Sequence, residues 1–234
     1  MRTFHKKVQP LWRLLMDKTK MKDIAIYGAG GFGKEIACLI NQINDVRPQW
    51  NLIGFFDDGK EKGQQISHFG RVLGGIEEIN EYNDALNLAI AIGTPSSLRG
   101  VRERIRNDKI LYPNIIAPTF GISDPETFCI GEGNIIGHGC AVSCDVTIGN
   151  YNILNADIVM GHDVKIGDYN VIMPDIRISG EVIIGEENHI GVGSIILQRV
   201  KVGNRVHLGA GSVLMTRPKN GGTYLGNPAK LFKY

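Results

Sequence analysis

With 234 residues and a formal net charge of +2, the chain has room for one large or two small domains and carries no charge excess that would mark a nucleic-acid surface. The charge is unevenly placed: residues 1–20 hold six Lys or Arg against one Asp, which leaves the remainder at about −3. The four cysteines, Cys38, Cys129, Cys140 and Cys144, include no C-x-x-C pair and fit a reducing cytoplasm, and no run of 18 apolar residues exists to cross a bilayer.

In chain order the sequence divides into residues 1–20, 21–114 and 115–234. The first part, MRTFHKKVQPLWRLLMDKTK, reads as a short basic amphipathic helix or, the preferred reading, as a loose extension ahead of a natural start at Met21. The second alternates strand and helix. DIAIYGAGGFG is a strand, a glycine turn and a helix start; Ile36, Leu39, Ile40 and Ile43 then keep helical spacing. NLIGFFDD is a buried strand that ends in Asp57 and Asp58, LGGIEEI opens another element, and LNLAIAIGTPSSLR runs from strand into a helix capped near Ser96 or Ser97. This is a small Rossmann-like α/β unit whose ligand belongs at the carboxyl ends of its strands.

Two nucleotide motifs overlap at the glycine turn. Gly28, Gly30 and Gly33 satisfy G-x-G-x-x-G, and Asp57 follows at a distance suited to ribose hydroxyls. A unit this small is half of a dinucleotide fold, so a mononucleotide or nucleotide sugar suits it better. GAGGFGKE fails as a P-loop because Glu35 stands where a Ser or Thr would bind magnesium. A tight turn without a ligand remains the alternative, against which stands the cost of two adjacent carboxylates, Asp57 and Asp58, without a partner.

From Ile130 to Val213 fourteen hexapeptides run in one frame, each opened by an aliphatic residue, and nine of the residues after the openers are Gly. Such a repeat specifies a left-handed parallel β-helix, with three hexads per triangular coil and four to five coils in this span. The openers and the residues two places before them, such as Cys140, Val146, Val164, Val182 and Val206, fill the core, and the residue after each opener is expected to take a left-handed turn at the corner. Chemistry must therefore sit outside, at corners and outward faces.

One corner carries Gly161-His162-Asp163, where an imidazole suited to a general base adjoins an acid that can orient it. The competing reading is a solvated corner histidine. His189 and His207, eighteen residues apart, should stack on an outward face, and His138 occupies the hexad place of His162 without a following acid.

The order of these parts, with IIAPTFGIS leading into the hexads, ILNADIVMGHDVKIG within them and GNPAK at the close, resembles the bacterial sugar acetyltransferases of the PglD and NeuD group over Met21 to Lys230. The resemblance implies a nucleotide sugar in the N-terminal domain, acetyl-coenzyme A along a groove between the β-helices of a homotrimer, and a corner His as base. It implies His162 as that base, with Asp163 where well-characterised members have Glu, and Asn155 helping to place the acceptor. Gly30, Gly31, Phe32, Asp57, Asp58 and Gly93 would line the sugar-nucleotide pocket, with Phe32 where some relatives have His. Val171, Gly180, Val192 and Ala210 would line the coenzyme groove, Gly180 offering a backbone N–H to the thioester oxyanion and Val171 replacing a His of some members. No metal is implied.

Three other readings remain: a hexapeptide carbonic anhydrase, which needs converging histidines where Gly167 stands, a non-catalytic sugar-nucleotide-binding scaffold, and a nicotinamide-dependent enzyme. Within the resemblance, O-acetylation of sialic acid is the variant activity.

Overall fold

The computed structural model describes residues 21–233. The expectations attached to residues 1–20 lie outside the described residues.

The α/β part runs β1 (Lys22–Tyr27), α1 (Gly31–Val46), β2 (Trp50–Phe56), β3 (Gln65–Ile66), β4 (Gly70–Gly74), α2 (Ile76–Asn80), β5 (Leu86–Ile90), α3 (Pro95–Arg104) and β6 (Ile110–Leu111). Its sheet has the order β3-β4-β2-β1-β5-β6, parallel throughout except where β3 pairs with β4. Strand order reverses between β1 and β5, and this switch point opens the crevice where α/β sheets bind ligands. Apolar runs make the central strands: Ile24, Ala25 and Ile26 of β1 and Phe55 of β2 are fully buried. Helix α1 packs on them through Ile36, Ala37, Leu39, Ile40 and Ile43, the face expected from spacing. The cap of α3 falls at Thr94 rather than at Ser96 or Ser97, because Pro95 takes the first helical position, where its fixed φ suits the helix and its missing N–H costs nothing.

From Ile115 the chain winds into a parallel β-solenoid. Seven parallel strands stack on the first face, beginning with Ile115–Ile116, six on the second from Gly121–Ile122, and five on the third from Cys129–Ile130. The described residues thus form five complete coils, two strands of a sixth and the first strand of a seventh, and the antiparallel strand Lys230–Phe232 closes the first face. The first coil precedes the hexad frame because its second and third strands are separated by the Asp124 turn, whose carboxylate accepts from Glu126 N at 3.1 Å and from the Thr127 hydroxyl at 2.9 Å.

The core is the expected one, but the corners are not. The left-handed residue stands three places after the opener, as at Asp145, Asp157, Asp163 and Glu181, where φ is 56°, 62°, 58° and 61°. Glycine follows the openers for a different reason. A Cβ on Gly149 or Gly161 would lie 2.7 Å, and one on Gly167 2.6 Å, from backbone atoms of the next coil, so the main chains themselves touch there.

Four asparagines two places before openers are fully buried: Asn134, Asn152, Asn170 and Asn188. They form a ladder. Asn152 donates through N and Nδ2 to Asn134 Oδ1 at 2.8 and 3.1 Å, Asn170 to Asn152 at 2.9 and 3.0 Å, and Asn188 to Asn170 at 2.9 Å through both. Val206 N ends the column on Asn188 Oδ1 at 2.8 Å.

The two parts share one core. Ile135, Ile153 and Val171 of the first face are buried together with Ile36, Ala37 and Leu98 of the α/β part. Asn170→Ala removes the acceptor for two buried donors of Asn188, and stability should fall by about 2–3 kcal/mol. The expected reading is a lower urea midpoint at unchanged slope.

Candidate active site

The strand Val159–Met160 delivers the chain to the corner between the second and third faces. Gly161 lets the coils touch, His162 projects outward, and Asp163 turns left-handed at φ 58°. That turn brings the carboxylate back onto the preceding ring: His162 Nδ1 lies 2.7 Å from Asp163 Oδ2. The contact is direct, so the shorter acid spans the gap without a water. With Nδ1 so engaged, Nε2 is the atom left to face a substrate. It lies over Gly180 of the next coil, where a Cβ would come within 2.5 Å of it. The Gly180 N–H makes no hydrogen bond among the described residues. An imidazole nitrogen and an open backbone donor therefore share one exposed corner.

Beside them Glu181 is held below the usual carboxylate range, chiefly by its hydrogen bond from Arg199, with His162 contributing a smaller attraction. Asn155 lies at the preceding corner, where its Nδ2 donates to Ile172 O at 3.1 Å and its carbonyl accepts the Cys140 thiol at 2.9 Å. Val192 and Ala210 are exposed on that same preceding corner, the column of His138 rather than of His162. Val171 corrects the expectation of a groove residue: it does point out of the solenoid, but the α/β part covers it to 1% exposure.

At the switch point the glycines divide by role. Side chains on Gly28 and Gly33 would strike Ala91 O and Gly28 O, so those two serve packing. Gly30, Gly31 and Gly93 have open space where a Cβ would stand. Helices α1 and α3 begin beside this opening at Gly30 and Thr94, with no side-chain cap and no acid in either first turn. Their amides are thus available to an anion. Phe32 instead packs half-buried against the α/β core.

Asp57 and Asp58 do have partners, and they are internal. Asp57 Oδ2 accepts from Ala29 N at 2.7 Å and Oδ1 from Gly59 N at 2.8 Å, so the carboxylate fixes the glycine turn. Asp58 accepts from Ile76 N at the start of α2 and from Arg104, both at 2.8 Å. It also engages the Tyr27 hydroxyl, whose pKa is raised by burial first and then by Asp58.

Sequence reasoning missed the aromatic seam between the domains. Arg102 of α3 stacks 4.3 Å from the Tyr112 centroid and donates to Tyr151 OH at 2.8 Å, while Arg99 pairs with Glu187 at 2.6 Å. Tyr151 and Tyr169 stack at 5.2 Å, one coil apart. Tyrosines eighteen residues apart were the available signal. Among the described residues no three His, Cys, Asp or Glu side chains converge as a metal site, and no helix is long and apolar enough to cross a membrane.

Residues 23–105 match the PglD N-terminal domain family, and residues 181–215 match the bacterial transferase hexapeptide family. Among solved structures, the acetyltransferase domain of PglB from Neisseria gonorrhoeae FA1090, in complex with acetyl coenzyme A, is similar at 28% identity and TM-score 0.82, covering 91% of this chain and 100% of that one. WeeI from Acinetobacter baumannii AYE is similar at 26% identity and TM-score 0.80, over 91% of this chain and 100% of that one. A variant of perosamine N-acetyltransferase from Caulobacter crescentus, in complex with CoA and GDP-perosamine, shares the fold at 22% identity and TM-score 0.81, over 92% of this chain and 99% of that one. No curated protein matches in sequence. The family matches thus cover two separate stretches, one in the α/β part and one in the solenoid. The chain joins a domain similar to the PglD N-terminal domain to a solenoid similar to the bacterial transferase hexapeptide repeat, and over 91% of its length it is similar to the acetyltransferase domain of PglB.

His189 and His207 stack as expected, with centroids 4.8 Å apart and planes at 6°, and His189 Nδ1 is buried without a hydrogen bond. Burial, and then the neighbouring His207, lowers the His189 pKa. Unfolded chains take up this proton near pH ~6.5, whereas the folded state resists it. The stability is therefore complete above that value and is lost as pH falls through it toward the lower folded pKa. Denaturation midpoints measured between pH about 7.5 and about 5 should fall less for His189→Gln than for the parent.

Proposed function

We infer that the protein transfers an acetyl group from acetyl-coenzyme A to an amine or hydroxyl of a nucleotide-linked sugar, in the manner of enzymes of bacterial surface-glycan synthesis. The observation that carries this reading is the corner itself: an imidazole oriented through Nδ1 by Asp163, with Nε2 set against the open backbone donor of Gly180. The likeness to the PglB acetyltransferase domain, solved with acetyl coenzyme A, supports the donor. The open glycines Gly30, Gly31 and Gly93 between two uncapped helix starts support a phosphorylated acceptor.

In the proposed reaction the acceptor nitrogen or oxygen attacks the thioester carbonyl as His162 Nε2 takes its proton. Asp163 stabilises the imidazolium that results. The Gly180 N–H donates to the oxyanion, a role that needs no side chain. Collapse breaks the carbon–sulfur bond, and the imidazolium returns its proton to the departing thiolate. Proximity of two bound substrates supplies much of the acceleration, so no covalent enzyme intermediate is needed.

The reading includes a homotrimer. Val159 and Ile195 stand exposed on the second face, and Val192, Leu197 and Met215 are exposed around it. Arg177, which interrupts the face, is folded onto Asp175 and the Asp157 carbonyl at 3.1 and 2.7 Å. An apolar face of this kind favours a second copy, and a neighbour would wall the open corner at His162. Multi-angle light scattering should give three times the chain mass; a monomer would leave the donor groove half-built and defeat this part of the reading.

With a nucleotide amino sugar and acetyl-coenzyme A, His162→Ala should lower kcat by about 10² to 10⁴ while coenzyme A still binds in calorimetry. Asp163→Asn should cost less, since the base remains. Near-parental turnover by His162→Ala would remove it from the mechanism.

A further inference from the structure

A groove of about 460 Å³ runs along the third face beside His162, lined by Asp163, Lys165, Glu181, Ile183, Arg199 and Lys201. Its acids are already engaged: Asp163 by His162 at 2.7 Å, and Glu181 by Arg199 Nε at 3.1 Å from both oxygens. The side-chain ammonium groups of Lys165 and Lys201 make no hydrogen bond or ion pair among the described residues. The groove therefore carries three cations against two carboxylates, and among the described residues neither lysine ammonium is bonded to an acid.

Their placement is regular. Lys165 pairs with Ile183 and Ile183 with Lys201 on successive rungs of the third face. Two rung spacings put the lysine backbones ~9.6 Å apart, and their flexible stems let the ammonium groups converge on one phosphoryl group or straddle two. Between them Ile183, 40% exposed, forms an apolar floor. Without a ligand the two ammonium groups have no bonded counter-charge; a polyanion between them supplies charge-assisted contacts.

We propose that this groove binds the phosphate groups of the acyl donor, a deepening that rests on the acetyl-transfer reading. The groove opens at the corner where the thioester must meet His162 and Gly180, so a donor with its thioester there can lay its phosphorylated end along the third face. The acceptor's diphosphate has a different place, the glycine crevice of the α/β part. Lys165 and Lys201 are on this view specificity residues for coenzyme A over simpler thioesters.

The test is the double variant Lys165→Gln with Lys201→Gln, whose exposed, unpartnered positions leave folding intact. The KM for acetyl-coenzyme A should rise about tenfold, with kcat and the acceptor KM unchanged, and the rise should shrink as salt screens the contacts. Acetyl-pantetheine, which lacks the phosphates, should not distinguish the variant from the parent. Calorimetric titration with adenosine 3′,5′-bisphosphate reads the groove without turnover and should weaken by a similar factor. A parent that fails to acetylate any sugar yet binds the bisphosphate through these lysines would overturn the reaction and keep the groove. A rise confined to the acceptor KM reassigns the phosphate to the sugar nucleotide and overturns the donor assignment. Unchanged KM values together with unchanged bisphosphate binding overturn the groove as a phosphate site.

Discussion

The contact on which the rest depends is that of main chain on main chain at the glycine corners. Gly149, Gly161, Gly167 and Gly185 each lie where a Cβ would intrude on the backbone of the next coil. With no side chain to hold the coils apart, successive strands within the hexad frame pair at a shift of eighteen residues, as in Ile135 with Ile153 and Val159 with Arg177. The buried asparagine ladder enforces the same shift by another means, since an Asn carboxamide that both accepts and donates within its column satisfies its neighbours only in that register. Because the coils stack so closely, the ring of His162 covers Gly180, and a residue with any side chain at Gly180 would displace it. The geometry of the candidate catalytic corner is thus a by-product of the stacking that holds the solenoid together.

Orientation of the candidate base comes from the same source. A left-handed residue three places after each opener is imposed by the coil, and Asp tolerates that conformation better than most residues. At Asp163 the turn that completes the corner is also what returns the carboxylate to His162 Nδ1. At the equivalent place after His138 stands Gly139, and that histidine instead bonds Thr119 and Gln42 of α1. One corner histidine is therefore directed outward with an acid behind it, while the other ties the solenoid to the α/β domain. Helix α3 is tied in parallel through Arg99 and Arg102. The two helices that begin at the switch-point crevice are each anchored to the solenoid, so the crevice and the corner are held in one frame.

Much of this was legible in the sequence, and the omissions have physical causes. The hexad frame located the core residues because apolar burial imposes a strict period. It misplaced the left-handed turn because Gly is demanded at contact points as well as at positive φ, and composition alone does not separate the two. Asp, Glu, Tyr and Arg all occupy the true turn position, so no residue type marks it. The asparagine ladder was visible as Asn134, Asn152, Asn170 and Asn188 at equal spacing, but a buried amide contradicts the apolar pattern unless its neighbours in the column are considered together. Val171 was read as outward, which is right for the solenoid alone; periodicity carries no information about cover supplied by another domain.

The paired carboxylates and the glycine turn show where a correct physical premise can lead to the wrong partner. Asp57 and Asp58 did require partners, but Ala29 N, Gly59 N, Ile76 N and Arg104 meet that need from within the chain. Asp57 then acts on any ligand indirectly, by holding the turn whose open side faces the crevice. Of the motif glycines, Gly28 and Gly33 would be glycine in the absence of any ligand, since backbone oxygens fill the space of a Cβ. Gly30, with Gly31 and Gly93, is not explained by packing: no described residue occupies the space beside it. Those are the positions at which glycine carries information about a ligand, because a side chain there would obstruct only something that arrives from outside. A G-x-G-x-x-G match is therefore a composite of packing and access, and in this chain the access glycines sit between two helix starts without acidic first turns, a setting that favours an anion over a neutral sugar alone.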